Sequence, residues 1–298
     1  YQVPRKAGWD THGLPVELEV EKKLGLDGKD QIEKYGVEPF IEQCKESVWK
    51  YEGMWEDFSH TVGFWADMKN PYVTYHNDYI ESEWWALKEI WKKGLLYEGH
   101  KIVPYCPRCG TPLSSHEVAQ GYKDVKERSA VVRFKVKGED AYILAWTTTP
   151  WTLPSNVALC VNPDEDYVKV TSKGYTYYMA AALVDTVLGE GAEVLEHYQG
   201  KDLEFKEYEP LFPYAEKRIG NKKAYYVVCD TYVTLTDGTG VVHIAPAFGE
   251  DDSKVGHRYD LPFVQLVNEK GEMTEETPWA GTFCKKADMA VLQALEDK

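Results

Sequence analysis

The chain has 298 residues, enough for one large or two ordinary domains with a well-buried core. Lys and Arg number 34 against 49 Asp and Glu, a formal net charge of −15, which repels polyanions at long range and argues against nucleic-acid binding through overall charge. With no run of about 18 apolar residues and no charged-then-apolar leader, neither a membrane span nor a signal peptide is expected, and the cytosol is the default compartment.

In chain order, residues 1 to 36 read as irregular apart from a short helix near Val16 to Leu24. Pro39 suits a first helical turn. Phe40, Cys44, Val48, Tyr51 and Trp55 then recur at three- to four-residue steps, which predicts one amphipathic helix to about Phe58. Asn77-Asp78 caps the next helix, Lys92 and Lys93 suit its negative end and Gly94 stops it. Ile80, Trp84, Leu87 and Trp91 form its expected buried stripe, aromatics read as core at helical spacing.

Of six cysteines, only the pair in Cys106-Pro107-Arg108-Cys109-Gly110 has metal-ligand spacing, because a two-residue gap lets both sulfurs point into one tetrahedral knuckle. A structural zinc site wants four ligands, and no second Cys-x-x-Cys is present. Two reduced thiols in a turn are an equal reading, with His100 and His116 as candidate substitute ligands.

Beyond the knuckle the period changes. Val132, Phe134 and Val136 alternate with Arg133 and Lys135; short runs follow at 141–146, 157–161, 167–171, 175–179, 225–230 and 240–245, broken by Gly, Pro, Asn and Asp. So many short strands with turn signals predict a closed or barrel-like sheet, covered by helices near 180–188, after Asp252 and at 287–295. The expected fold is α+β, with a mostly helical segment at 1–122 and a β-barrel-like domain at 123–298.

Two stretches carry the site candidates. Trp146-Thr147-Thr148-Thr149-Pro150-Trp151-Thr152-Leu153-Pro154-Ser155-Asn156 follows a β-prone run and breaks at proline; strand alternation puts Thr147 and Thr149 on one face and Thr148 on the other. Gly238-Thr239-Gly240-Val241-Val242-His243-Ile244-Ala245-Pro246-Ala247-Phe248-Gly249-Glu250-Asp251-Asp252 places a histidine in an apolar strand and three carboxylates at a helix start. Plain β propensity, a satisfied core histidine and ordinary helix-end acids account for each feature singly.

Together they resemble the threonine-rich segment and the Gly-x-Gly-Val-Val-His-x-Ala-Pro-Ala-x-Gly-x-Asp-Asp segment of the editing domain inserted in isoleucyl-tRNA synthetases. Gly8-Trp9-Asp10-Thr11-His12-Gly13-Leu14-Pro15-Val16-Glu17 is similar to the block after the first ATP signature of the same enzymes. The leucyl enzymes have Ala-Phe where this chain has Thr11-His12, and valyl and leucyl threonine segments run Thr-Arg-Pro where this one runs Thr149-Pro150-Trp151.

The resemblance implies that residues 1–122 are part of a class I catalytic domain and that 123–298 form the editing domain. The His-x-Gly-His and Lys-Met-Ser-Lys-Ser signatures are not in the sequence, so ATP use and aminoacyl-adenylate formation are not expected of it. The implied activity is aminoacyl-tRNA deacylation, hydrolysing valine from the 3′ end of mischarged tRNA(Ile), in an enzyme whose other parts ligate isoleucine to tRNA(Ile) with ATP. The implied roles follow the motifs. Asp252 binds the valine ammonium. Thr147, Thr148 and Thr149 hold the ribose and ester and order the water; His243 walls the side-chain pocket, and Trp151 and Asn156 belong to the substrate-binding segment. Asp10 belongs to the synthetic site, Asp251 caps its helix, and Cys106 with Cys109 supply half a zinc site. Local contacts to tRNA are assigned to Lys217-Arg218 with Lys222-Lys223, or to Lys285-Lys286, or else those cations are a solvated face. Two other readings stay open: a zinc-ribbon nucleic-acid module centred on Cys106 and Cys109, and a generic hydrolase using Asp251, Asp252 and His243 as acid and base.

Overall fold

A computed structural model describes residues 1–297, which divide into two compact units between His100 and Lys101. In the first unit, β1 (Lys6–Trp9) lies parallel to β2 (Asp67–Val73), and five helices accompany the pair: α1 (Leu14–Leu24), α2 (Lys29–Tyr35), α3 (Val37–Val48), α4 (Glu52–Thr61) and α5 (Asn77–Lys92). Residues 1–36 are therefore more regular than expected. The single helix expected to Phe58 is also broken by a 3₁₀ turn at Trp49–Tyr51, where the Trp49 indole turns aside to donate to the Tyr75 hydroxyl at 3.0 Å.

The stripe on α5 departs from expectation in burial, not in spacing. Trp84 and Trp91 are 67% and 65% exposed, because helical period sets which side chains share a face but supplies no partner for it. The unit's own core is small and centres on Val20, Phe40 and Val73.

The second unit opens with a short ribbon, β3 (Tyr105–Cys106) against β4 (Thr111–Pro112), and with α6 (Ser115–Gln120), whose N-terminus is closed by a reciprocal Ser114–Glu117 capping box. The expected boundary at 122/123 lies within this unit. Its main sheet contains β5 (Ala130–Lys135), β6 (Tyr142–Thr147), β7 (Ala158–Val161), β8 (Asp166–Ser172), β9 (Tyr175–Ala180), β10 (Glu193–Gln199), β11 (Tyr226–Cys229) and β12 (Val241–Ile244), in the order β10-β8-β9-β6-β12-β7-β11 with β5 on β6.

The sheet curls into a ring through a segment that is not itself a named strand. Glu207 and Tyr208 bridge to both Tyr226 on β11 and Val136 beyond β5. The Glu209 N–H donates to the Lys135 carbonyl, and the Tyr208 N–H to that of Tyr225. Hydrogen bonds thus run β5-β6-β12-β7-β11 and back through 206–209 to β5, while β9, β8 and β10 extend from the other half of β6. Strand alternation fills the ring: Val132 and Phe134 are buried while Val131 and Arg133 face out.

The helices are α7 (Val184–Leu188), α8 (Glu216–Ile219), α9 (Glu250–Arg258) and α10 (Cys284–Glu296). Cys284, Ala287 and Val291 are the buried face of α10, which packs on the 3₁₀ turns at Pro150–Ser155. β10 and the first unit's two strands lie outside the expected set; the β10 side chains are mostly exposed, so they carry no apolar alternation to read. No helix among the described residues is long and apolar enough to cross a membrane.

Candidate active site

The site is built where two parallel strands end together. β6 and β12 are neighbours in parallel, with Val242 opposite Trp146, so the segments that follow leave the sheet at the same rim, where ligand crevices of open α/β sheets also form. Both segments break their ladders with proline, Pro150 after β6 and Pro246 after β12. Trp146, Thr147, Thr148, Thr149, Thr152, Val242, His243, Ala245, Phe248, Gly249 and Asp252 line one cavity of about 270 Å³ there. The three threonines, the histidine and the second of the paired aspartates are therefore brought to one place.

Thr147 is buried, and its hydroxyl accepts the Thr149 N–H at 3.0 Å; the Thr149 hydroxyl lies 3.4 Å away on the same side. Thr148 is exposed, as the alternation predicts. Thr152 gives its one hydroxyl proton to the Thr149 carbonyl (2.8 Å), so at its 2.9 Å contact with His243 Nε2 it accepts. That contact places the proton of His243 on Nε2. Burial pushes the imidazole down to about 4, so it is neutral near pH 7 and a weak base. Its Nδ1 is buried without a hydrogen-bond partner among the described residues.

Asp252 stands in the first turn of α9. Its carboxylate accepts the Ala245 N–H at 3.0 Å and the Tyr232 hydroxyl at 3.5 Å. Burial pushes it up to about 6, against the downward pull of those two donors. A Cβ on Gly249 would lie 2.9 Å from the Asp252 carboxyl carbon, so glycine is what lets the carboxylate fold back over the helix start. Asp251 points elsewhere, pairing with Lys254 at 3.1 Å, and does not line the cavity.

Asn156 and Trp151 do not line the cavity either. Asn156 is buried beneath it, accepting from the Tyr208 hydroxyl at 2.7 Å and donating to the Ala158 carbonyl at 2.8 Å. Trp151 packs edge-on against Phe248 at 5.0 Å, and its backbone N–H donates to Asp288 on α10 at 2.8 Å. Both hold the threonine segment in place. Asp10 lines a separate cavity of about 240 Å³ inside the first unit, with Trp9, Glu19 and Trp49. Thr152, Tyr232, Phe248 and Asp288 were not singled out from sequence. Thr152 and Phe248 sit inside the two motifs, whereas Tyr232 and Asp288 carry no local signal.

Cys106 and Cys109 share one tight turn, closed by a 2.8 Å bond from the Gly110 N–H to the Cys106 carbonyl. Burial pushes the Cys106 thiol up, but the N–H and thiol of Cys109 and the N–H of Arg108 outweigh it and leave the group below its ordinary value. Burial and the hydrogen bond to Cys106 push the Cys109 thiol the other way, up, so one sulfur of the turn favours the thiolate and its neighbour the thiol; their spacing fits half of a tetrahedral zinc shell. Among the described residues no cluster of three or more potential ligands forms around them.

A ring-shaped sheet with this cavity at its rim makes the second unit an α+β domain with a pocket at the strand ends. Residues 1–266 match the family described as tRNA synthetases class I (I, L, M and V), and the chain belongs to that family. It is 62% identical over 299 residues to the isoleucine–tRNA ligase of Clostridium acetobutylicum, spanning all of this chain and 28% of that protein. The isoleucine–tRNA ligases of Clostridium tetani and Bacillus thuringiensis strain Al Hakam are 56% and 54% identical, over 100% and 99% of this chain and 29% and 28% of theirs. Among solved structures, the editing domain of the P. knowlesi cytosolic leucyl-tRNA synthetase is 13% identical with a TM-score of 0.45, over 60% of this chain and 96% of that one.

Proposed function

We propose that the second unit hydrolyses the ester of valine mischarged on tRNA(Ile), within an enzyme that ligates isoleucine to tRNA(Ile). The observation carrying this reading is that Thr147, Thr148 and Thr149 and the Asp252 carboxylate line one cavity. A methylene is worth about 1–3 kcal/mol in a hydrophobic pocket, and isoleucine against valine in these synthetases is the worked case of that limit, so a second, smaller site is needed to remove the error.

In this reading Asp252 holds the α-ammonium, the strong partner for a carboxylate. The threonine hydroxyls and neighbouring backbone N–H groups hold the terminal ribose and the ester and position a water. Oxygen of that water bonds to the carbonyl carbon, charge gathers on the carbonyl oxygen, and the bond to the ribose oxygen breaks. The proton lost by the water ends on that ribose oxygen, releasing valine and intact tRNA. Neutral His243, held by Thr152, walls the side-chain space; a single-tautomer wall suits exclusion of a larger group better than proton transfer at pH 7. Cys106 and Cys109 would supply two ligands to a structural zinc ion, remote in role from this chemistry.

Two measurements test it. With Val-tRNA(Ile) and Ile-tRNA(Ile) as substrates, the chain should deacylate the valyl ester faster by at least about tenfold; equal rates, or faster cleavage of small unrelated esters, count against the reading. Because the ammonium needs an ionised carboxylate and Asp252 sits up at about 6, kcat/KM for Val-tRNA(Ile) should be level above pH 7. Below pH 6 it should fall about tenfold per unit. A profile flat from pH 5 to 7.5 after subtraction of spontaneous hydrolysis would remove Asp252 from that role.

A further inference from the structure

We propose that the outward strip formed by Trp146, Arg133, Tyr142 and Tyr175 is the track for the single-stranded 3′ segment of the RNA whose terminal nucleoside enters the cavity. It rests on the deacylase reading only for which nucleoside enters.

The argument starts from charge. Of the six cations expected to meet RNA in this acidic chain, four are already neutralised: Arg218 pairs with Glu276, Lys222 with Asp260, Lys223 with Glu207 and Lys285 with Glu127. Arg133 differs. Among the described residues no carboxylate pairs with it, and its guanidinium lies over the Tyr175 ring at 5.0 Å and the Tyr142 ring at 5.5 Å. Those rings meet edge to face at 6.1 Å, and Tyr175 is 47% exposed. Lys135, the other cation beside Tyr142, is held by Asp140.

Register supplies the direction. Val131 is opposite Trp146, Arg133 opposite Leu144 and Lys135 opposite Tyr142, so these pairs share one face of β5 and β6, exposed at Val131 and Arg133 and covered at Leu144. Tyr142 in turn pairs with Tyr177 on β9, next to the Tyr175 ring. The face therefore reads aromatic, cation, aromatic along one line, and its Trp146 end is part of the cavity wall. Single-stranded nucleic acid is held by this combination: bases stack on exposed aromatic rings while a planar guanidinium takes a phosphate with two parallel donors. Arg133 is pre-oriented by its ring contacts, which reduces the ordering cost of binding.

The test uses the whole 298-residue chain and a labelled, uncharged RNA tetranucleotide ending in C-C-A, followed by fluorescence anisotropy over a range of salt. In parallel, hydrolysis of 2′(3′)-O-valyladenosine, which fills the cavity but is too short to reach Arg133 or Tyr175, is measured. Arg133→Gln should weaken tetranucleotide binding about tenfold and lower the salt slope by about 0.7, one single-strand phosphate contact. Arg133→Lys should keep the slope yet recover only part of the affinity. Tyr175→Ala should weaken binding about fivefold or more. All three should cleave valyladenosine at the rate of the unmodified chain. The proposal is overturned if the unmodified chain does not bind the tetranucleotide, if Arg133→Gln and Tyr175→Ala bind it unchanged, or if both reactions fall together. If the unmodified chain leaves valyladenosine intact while the strip variants still lose RNA binding, the deacylase reading fails and the track stands.

Discussion

Asp252→Ala is expected to lower kcat/KM for Val-tRNA(Ile) by about 10²–10³, the cost of removing one member of a desolvated ammonium–carboxylate pair. The fold should survive, because two effects oppose each other. Burial holds the Asp252 carboxyl up at about 6 against 3.8 for a free group, so the folded chain binds the proton more tightly than the unfolded one. Stability from this group is therefore greatest at low pH and is lost as pH rises from about 4 through about 6; above that, the ionised carboxylate costs roughly 3 kcal/mol. Alanine relieves that cost at pH 7 but leaves the Ala245 N–H without its acceptor, a loss of about 1–3 kcal/mol. The melting temperature should then move by only a few degrees, and circular dichroism at pH 7.5 with deacylation kinetics on the same sample checks both halves. Asp252→Asn separates charge from geometry. Its amide oxygen can still accept from Ala245, so deacylation near the wild-type rate in that variant would show that the charge is not what matters.

Asn156→Ala should act the other way round, with a large loss of stability and little change in chemistry for the fraction that remains folded. The Asn156 side chain is buried, and its removal takes an acceptor from the Tyr208 hydroxyl and a donor from the Ala158 carbonyl together. At about 1–3 kcal/mol for each unsatisfied group, the expected destabilisation is roughly 3–5 kcal/mol. For a unit of this size that is a fall of on the order of 10 °C in melting temperature, read by thermal unfolding. Adding Tyr208→Phe should recover part of the loss, since removing both partners of a buried pair costs less than removing one. Were Asn156 a substrate contact, the single variant would instead raise KM with the melting temperature unchanged.

Much of this protein was legible without coordinates. Alternation of Val132 and Phe134 with Arg133 placed a strand with one wet face. The proline-broken threonine and histidine motifs marked segments that line one cavity, and their likeness to isoleucyl-tRNA synthetases pointed to the family that the chain belongs to. These signals are local: a few neighbouring side chains decide them, through φ/ψ restriction and period-two or 3.6-residue patterning. Periodicity failed where it was asked about a partner. The α5 stripe has helical spacing, yet Trp84 and Trp91 are exposed.

Only the tertiary structure could decide which distant segments meet. The cavity exists because β6 and β12, some 95 residues apart, pair in parallel, and a parallel ladder between distant strands leaves no mark on either sequence. The same holds for 206–209, which closes the ring without reading as a strand, and for Tyr208, which reaches Asn156 across it. It holds too for Thr152, whose hydroxyl selects the His243 tautomer. Short-range sterics and hydrophobic period determined the pieces and their chemistry. Their meeting at one rim depends on long-range pairing, whose free energy comes from burying both faces at once, and no single segment of sequence carries that information.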